Sequence, residues 1–212
     1  MEALSDKRGP RRDQVVEYLR EAITMGRLAD GDRLIEGTIA RDLKTSRGPV
    51  REALRQLEHE GLVVSYPYRG AVVTGVSEEE IAQVLIPIRL TLERFSFTKA
   101  LEQMHDGDFA ELAKEIWTME QAALEQDLFR SVEADMRFHE LILERSGQPH
   151  TAQVWRSISP RIRAYFFRWG QTADLGRIAV EHGDLLRTLQ SRDHDRVMAA
   201  LEVHITTRTP AP

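Results

Sequence analysis

The chain of 212 residues contains no cysteine. This absence excludes disulfide bridges, thiolate metal ligands and thiol nucleophiles. The sequence also lacks any apolar run near the roughly 18 residues that a membrane-spanning helix needs. The polar stretch 1–12 has no apolar signal-peptide core. We therefore expect a cytoplasmic protein that does not enter a membrane.

Charge is distributed unevenly along a chain of ordinary composition, with 42% hydrophobic and 30% charged residues. The net charge is −5, yet residues 1–76 hold 13 basic against 12 acidic side chains, and the remainder holds 16 against 22. Local positive potential, and not net charge, governs binding to phosphates. Either a nucleic-acid contact or a solvated helix face fits the five basic side chains within residues 41–55, which are Arg41, Lys44, Arg47, Arg51 and Arg55.

The first third of the chain has the element order of a winged helix-turn-helix. Apolar periodicity predicts helices over 13–25 and 38–43, and a third helix begins at Ser46 or Gly48 with Pro49 in its first turn. Gly61 ends that helix. Two short strands, 62–66 and 71–74, then flank a turn at 67–70. These elements predict a DNA-binding domain over residues 8–76.

The rest of the sequence is helical in pattern. Ser77 and Glu80 form a capping box that opens a helix over 77–104, and we expect Pro87 and Pro160 to kink the helices that contain them. Five more helices fit 108–126, 128–146, 150–169, 173–191 and 194–208. The predicted fold is mainly α, with an N-terminal winged helix-turn-helix and a C-terminal six-helix bundle over 77–208.

The third helix is short enough to enter the major groove of DNA. With Val50 and Leu54 facing the core, Arg51 and Arg55 project away from it. A helical bundle with a solvated face is the alternative, but it leaves the order, spacing and charge unexplained. The predicted DNA contacts lie in the turn, the third helix and the wing tip: Lys44, Thr45, Ser46, Arg47, Arg51, Arg55, Arg69 and Gly70.

The segment Ser-Arg-Gly-Pro-Val-Arg-Glu-Ala-Leu-Arg-Gln-Leu-Glu over 46–58 resembles the recognition segment of the GntR family of regulators. The patterns over 28–36 and 69–73 fit the same family. The resemblance implies that Arg47 and Arg51 are the main base or phosphate contacts. Gly37 and Gly48 depart from it, because the family usually has a DNA-contacting arginine and a threonine at these places.

Helical phase turns three histidines and one aspartate toward the core of the second domain. Asp135 and His139 are i, i+4 neighbours, and His182 and His204 lie within the apolar stripes of two later helices. A buried histidine is commonly a hydrogen-bonded core residue, and this remains the alternative for each one. Together the four side chains match a metal shell of nitrogen and oxygen ligands.

These four positions, with Glu181-His182 and Arg89-x-x-x-Glu93, are similar to the FCD ligand-binding domain of the FadR subgroup of GntR regulators. Residues 85–87 depart from that domain's first helix. The resemblance implies a divalent metal, with zinc or nickel favoured over manganese or iron, and a small carboxylate effector. Arginine matches a carboxylate with two parallel bonds. The candidate effector clamps are Arg89, which the resemblance implies, and Arg161 and Arg163, which are paired on one helix. A surface or interhelix salt bridge is the alternative for each of them.

The sequence therefore predicts a DNA-binding repressor that is not an enzyme. We expect it to be a homodimer, because one short helix reads a single half-site and needs a second one beside it. Its operator affinity would change when a small organic acid binds. Three alternatives stay open: a metal-responsive regulator without an organic effector, a metal-dependent hydrolase, and a constitutive DNA binder with a structural helical domain.

Overall fold

The computed structural model describes residues 11–68, 70–75, 77–170 and 173–207. The chain divides into two compact units, residues 1–76 and residues 77–212. We call them the N-terminal unit and the C-terminal unit. The described helices include none that is long and apolar enough to cross a membrane.

Three helices and a three-stranded sheet make up the part of the N-terminal unit that the structure describes. Its elements are α1 (Arg11–Thr24), β1 (Arg33–Leu34), α2 (Glu36–Asp42), α3 (Arg47–His59), β2 (Val63–Tyr66) and β3 (Gly70–Val73). α1 packs against α3, and α2 packs against α3. The core between them is apolar and includes the fully buried side chains of Val15, Val50, Leu57 and Val63. The predicted winged helix-turn-helix is confirmed.

The sheet has one more strand than the sequence predicted. Both neighbours of β3 are antiparallel to it, in the order β1-β3-β2, with Leu34 opposite Ala71 and Val64 opposite Val72. β1 escaped prediction because two residues are too few to show the alternation by which a strand is recognised. This strand leads directly into α2 and so ties the start of α2 to the wing.

A tight turn joins α2 to α3 and sets where α3 begins. Leu43 is buried, and Lys44 adopts a positive φ of 51° that reverses the chain direction. Ser46 is the N-cap residue of α3, as one of the two predicted starts had it. At the other end Gly61 has a φ of 69°, the left-handed conformation that glycine adopts at low cost.

Over its described residues the C-terminal unit is a bundle of six long helices, as predicted. They are α5 (Ile86–Gln103), α6 (Asp106–Glu125), α7 (Leu128–Arg145), α8 (Pro149–Gly170), α9 (Leu175–Gln190) and α10 (His194–Thr206). α7 packs against α5, α6 and α8, while α9 packs against α6 and α10. The inward faces of α5, α7, α9 and α10 carry the polar residues that concern the site.

The helix predicted over 77–104 is not a single α-helix. It consists of α4 (Glu78–Glu80), a π-helical turn over Ile81–Leu85, and α5. Ser77 caps it by accepting a hydrogen bond from the Glu80 N–H, and the Ile86 N–H donates to the Ile81 carbonyl five residues back. Because Pro87 has no N–H to donate, the wider turn falls immediately before it.

Candidate DNA-reading surface and metal centre

The exposed face of α3 carries two of the predicted DNA contacts. Arg51 and Arg55 keep 55% and 67% of their side-chain surface exposed, whereas Val50, Ala53, Leu54 and Leu57 are buried against the N-terminal unit. The helix therefore presents cations on the side opposite its apolar stripe. Lys44, Ser46 and Arg47 are exposed at its beginning and Thr45 is half-buried.

Arg51 is held by a carboxylate from the preceding helix. Its Nε donates to Oε1 of Glu36 and its Nη2 donates to Oε2, both at 2.9 Å, so the pair is bidentate. The hydrogen bond from Arg51 lowers the pKa of Glu36, with smaller contributions from the charges of Arg47 and Arg55. Glu36 is therefore ionised at neutral pH.

Arg47 lies over the backbone of α2. A Cβ atom at Gly37 would stand 3.2 Å from Arg47 Nη2, closer than an ordinary van der Waals contact. A Cβ at Gly48 would meet nothing within 4 Å. The two glycines that depart from the family pattern are thus different: one adjoins a predicted DNA contact, and the other faces open space.

The hairpin of β2 and β3 forms the wing. Gly70 has a φ of 77°, and Tyr68 has a φ of 65° with its side chain fully exposed at the tip. Gly70 begins β3 in the left-handed conformation that glycine adopts at low cost, and its contact with DNA stays a prediction. Arg69, the other predicted wing contact, lies outside the described residues.

The four residues predicted as metal ligands come together inside the C-terminal unit. Asp135 and His139 belong to α7, His182 to α9 and His204 to α10, and all four side chains are buried. One ring nitrogen from each histidine lies within 4.8 Å of those of the other two. Asp135 carboxylate oxygens lie 3.7 Å from His139 Nε2 and 3.7 Å from His182 Nε2.

Hydrogen bonds on the outer side of the rings orient two of these histidines. His182 Nδ1 lies 2.8 Å from the Ile178 carbonyl, and His139 Nδ1 lies 2.6 Å from Glu93 Oε2. Since a carbonyl or carboxylate oxygen only accepts, each Nδ1 carries the hydrogen and donates it. In the neutral rings both Nε2 atoms are then acceptors that face the cluster.

The spacing fits a metal ion. His139 Nε2 and His204 Nε2 are 3.2 Å apart, and two nitrogens bound tetrahedrally at about 2.0–2.1 Å would be about 3.3 Å apart. Burial lowers the pKa of His139 despite the opposing charge of Glu93, which favours the neutral form that binds metals. Three histidines of the described chain could therefore hold a metal ion, with Asp135 beside two of them.

Glu93 is a site residue that the sequence analysis did not assign. It is completely buried, binds His139 through one oxygen, and accepts from Arg89 Nε at 2.6 Å through the other. Burial opposes ionisation of this carboxyl, but the charge of Arg89 and the hydrogen bonds from His139 and Arg89 outweigh it and lower the pKa of Glu93. A carboxylate behind a histidine is the usual support of a metal ligand.

The three arginines predicted as effector clamps differ in position. Arg89 is 2% exposed, and its guanidinium lies 5.7 Å from the ring centre of Trp155 and 5.4 Å from that of Phe166. Through Glu93 it adjoins the histidine cluster. Arg163 Nε lies 3.0 Å from Glu133 Oε1 on α7, and Arg161 is half-buried on α8.

Two family models match the chain. Residues 11–73 match the model described as bacterial regulatory proteins of the gntR family, and residues 84–207 match the FCD domain. Together these models cover both the DNA-reading surface and the histidine cluster.

Individual relatives match over most of their length. The gluconate operon transcriptional repressor of Bacillus subtilis is 27% identical over 89% of this chain and 79% of its own. The HTH-type transcriptional regulator McbR of Escherichia coli is 27% identical over 86% of this chain and 83% of its own. A solved structure of E. coli McbR/YncC has a TM-score of 0.81 over 94% of this chain and 95% of its own, with 24% identity, and it shares the fold.

Proposed function

Because this chain belongs to the GntR family of bacterial transcription regulators and carries an FCD domain in its C-terminal unit, we propose that it represses transcription as a homodimer controlled by a small carboxylate effector. That it is a DNA-binding regulator and not an enzyme follows from the family and its relatives. The alternative of a metal-dependent hydrolase is therefore dropped.

The proposed operator contacts are the exposed cations of α3 and the turn before it. Arg47 and Arg51 would read bases, since a bidentate arginine is the commonest specific partner of guanine. Lys44, Thr45, Ser46 and Arg55 would bind phosphates and fix the register, with Arg69 and Gly70 contacting DNA at the wing. A homodimer would bring two α3 helices to half-sites about one turn apart.

The observation that carries the effector proposal is the charge of the buried cluster. With Asp135 ionised and the three histidines neutral, the carboxylates of Glu93 and Asp135 and the guanidinium of Arg89 would give the cluster one net negative charge. A divalent ion held by His139, His182, His204 and Asp135 would reverse that sign. A net positive, largely buried site selects an anion, and Arg89 has a guanidinium suited to a carboxylate.

Nitrogen-rich ligands favour zinc or nickel, with manganese and iron as alternatives.

Effector binding would favour one of two arrangements of the dimer and so change operator affinity. A preference of about 2–3 kcal/mol is enough to shift operator occupancy strongly. The metal-responsive alternative differs in one respect: removal of metal alone would then change operator affinity.

Selection of genomic DNA fragments on the purified protein tests the operator proposal, with Arg51→Ala as the comparison. We expect wild type to recover a short palindromic site that the variant does not select. The same featureless DNA from both proteins would contradict base reading by α3.

Metal binding is tested on protein first dialysed against a chelator. Zinc, nickel or manganese is then titrated into wild type, His204→Gln and His150→Gln, the last being an exposed histidine on α8. We expect one ion per chain in wild type and His150→Gln, and at least about tenfold weaker binding in His204→Gln. Equal affinities in all three proteins would rule out the cluster as the metal centre.

Operator affinity is then measured for chelator-treated and metal-loaded protein, with and without a panel of small carboxylic acids. A change caused by an acid only when metal is present supports the effector proposal. A change caused by chelation alone, with no response to any acid, supports the metal-responsive alternative instead.

A further inference from the structure

We propose that Glu36 and Gly37, at the start of α2, position the arginines of α3 for base reading and thereby set operator specificity. Glu36 would hold the Arg51 fork in one orientation, and Gly37 would leave the space that the Arg47 guanidinium occupies. The inference rests on the proposed base-reading role of α3. It concerns two residues of α2 that are not themselves among the proposed DNA contacts.

The ion pair with Glu36 leaves one edge of the Arg51 guanidinium free to bind a base. A guanidinium has five N–H groups in a fixed plane. Glu36 engages the edge formed by Nε and Nη2, so the edge formed by Nη1 and Nη2 still presents two parallel donors. Guanine offers two adjacent acceptors, O6 and N7, in the major groove. A carboxylate on one edge and a guanine on the other can therefore bind Arg51 at the same time.

Fixing the Arg51 guanidinium in advance affects DNA binding because this side chain is exposed and otherwise mobile in its rotamers. An exposed arginine loses up to about 2 kcal/mol of rotamer entropy when it is fixed, and a carboxylate that fixes it beforehand reduces that loss on binding. Glu36 is suited to this role, since 33% of its side chain is exposed and α2 anchors it beside the sheet. Its charge is retained at neutral pH, as described above.

Gly37 affects Arg47 because it has no side chain. The Arg47 guanidinium lies so close to its Cα that a Cβ would be 3.2 Å from Nη2, 3.6 Å from Cζ and 3.6 Å from Nε. Any side chain at position 37 would press on this group and shift it. A Cβ at position 37 would therefore displace the Arg47 guanidinium by a few tenths of an ångström from its observed position.

Because Glu36 is negatively charged, repulsion of phosphates and positioning of Arg51 predict opposite effects on operator affinity when its carboxylate is removed. A carboxylate near the DNA-facing surface repels phosphates, so removing it should tighten binding to any DNA if charge is all that matters. If Glu36 positions Arg51, removing it should weaken binding to the operator and leave binding to other DNA unchanged or slightly tighter. The two effects have opposite signs on the operator.

The test uses the full chain, the operator fragment recovered by wild type, and a scrambled duplex of equal length, at two salt concentrations. Glu36→Gln is compared with Asp42→Asn, an acidic residue at the other end of α2 whose side chain is 30% exposed and lies 3.6 Å from Arg41. Both are also combined with Arg51→Ala. Gly37→Ala is compared with Gly48→Ala, where a Cβ has open space. Thermal unfolding followed by circular dichroism verifies that every variant is folded.

We expect Glu36→Gln to bind the operator about tenfold more weakly, the scale of one lost bidentate contact, and to lose nothing further in the Arg51→Ala background. Asp42→Asn should shift operator and scrambled duplex together, and Gly37→Ala should weaken operator binding where Gly48→Ala does not. Equal tightening on both duplexes by Glu36→Gln, an undiminished loss in the Arg51→Ala background, or equal behaviour of the two glycine variants would overturn the proposal. If Arg51→Ala itself binds the operator like wild type, the base-reading function fails first.

Discussion

Replacing Glu93 by glutamine should destabilise the metal-free C-terminal unit far more than an equivalent change at its surface. The side chains of Glu93 and Arg89 are 0% and 3% exposed, and their oxygen and nitrogen are 2.6 Å apart. The substitution keeps the shape but leaves the buried Arg89 charge without its carboxylate, and breaking a buried pair in this way costs about 3–5 kcal/mol. Total stabilities are about 5–15 kcal/mol, so the loss is a large fraction.

Glu202→Gln provides the control, because Arg94 and Glu202 are also 2.6 Å apart but keep 45% and 51% of their side chains exposed. A surface pair of this kind contributes about 0–1 kcal/mol. Both variants are unfolded with urea in the presence of a chelator and followed by tryptophan fluorescence. The signal reports on the C-terminal unit alone, since the three tryptophans are Trp117, Trp155 and Trp169. Free energies of unfolding that fall equally in the two variants would refute the argument that burial, and not distance, sets the cost.

Two further perturbations test other parts of the molecule. Burial, with a smaller contribution from the charge of Glu78, raises the pKa of Tyr165 from 10.0 to about 12; the unfolded chain therefore loses this proton first, and stability should fall from about pH 10 upward more steeply in wild type than in Tyr165→Phe. Parallel profiles of the urea midpoint against pH would contradict that. In the N-terminal unit, Leu57 is fully buried and Glu52 is exposed on the same helix. Leu57→Ala should cost about 2–5 kcal/mol and Glu52→Ala about 0.5 kcal/mol or less, measured by circular dichroism, and similar losses would contradict the assigned core of α3.

The helices were predictable because each carries a continuous apolar stripe or a recognisable start. Ser77 is the N-cap residue that the sequence predicted, and Ser46, one of the two predicted starts of the third helix, is the N-cap residue of α3. The π-helical turn before Pro87 was not predictable in kind, since proline signals only that a hydrogen bond is lost and not how the backbone rearranges. β1 was not predictable for the opposite reason: two residues carry no period, and the strand exists because β3 offers it an open edge.

The side chains of the candidate site were also predictable only in part. Helical phase identified the inward positions of Asp135, His139, His182 and His204, and it can do so because 3.6 residues per turn relate a position to a face. Phase does not identify the helix that each face meets, and the Glu93 contact joins α5 to α7 across 46 positions of sequence.

A charge argument could nevertheless have anticipated Glu93. Arg89 and Glu93 are spaced i, i+4 on the face of α5 that also carries the buried Phe97 and Ala100, and a buried charge requires both a partner and hydrogen bonds for its remaining atoms. One oxygen of Glu93 serves Arg89, so the other needs a donor from a neighbouring helix. A histidine on an inward face is the donor that also gains from the contact, because the carboxylate fixes Nδ1–H and directs Nε2 toward the cluster. Inward i, i+4 ion pairs are therefore worth examining as supports for metal-binding histidines elsewhere in a sequence.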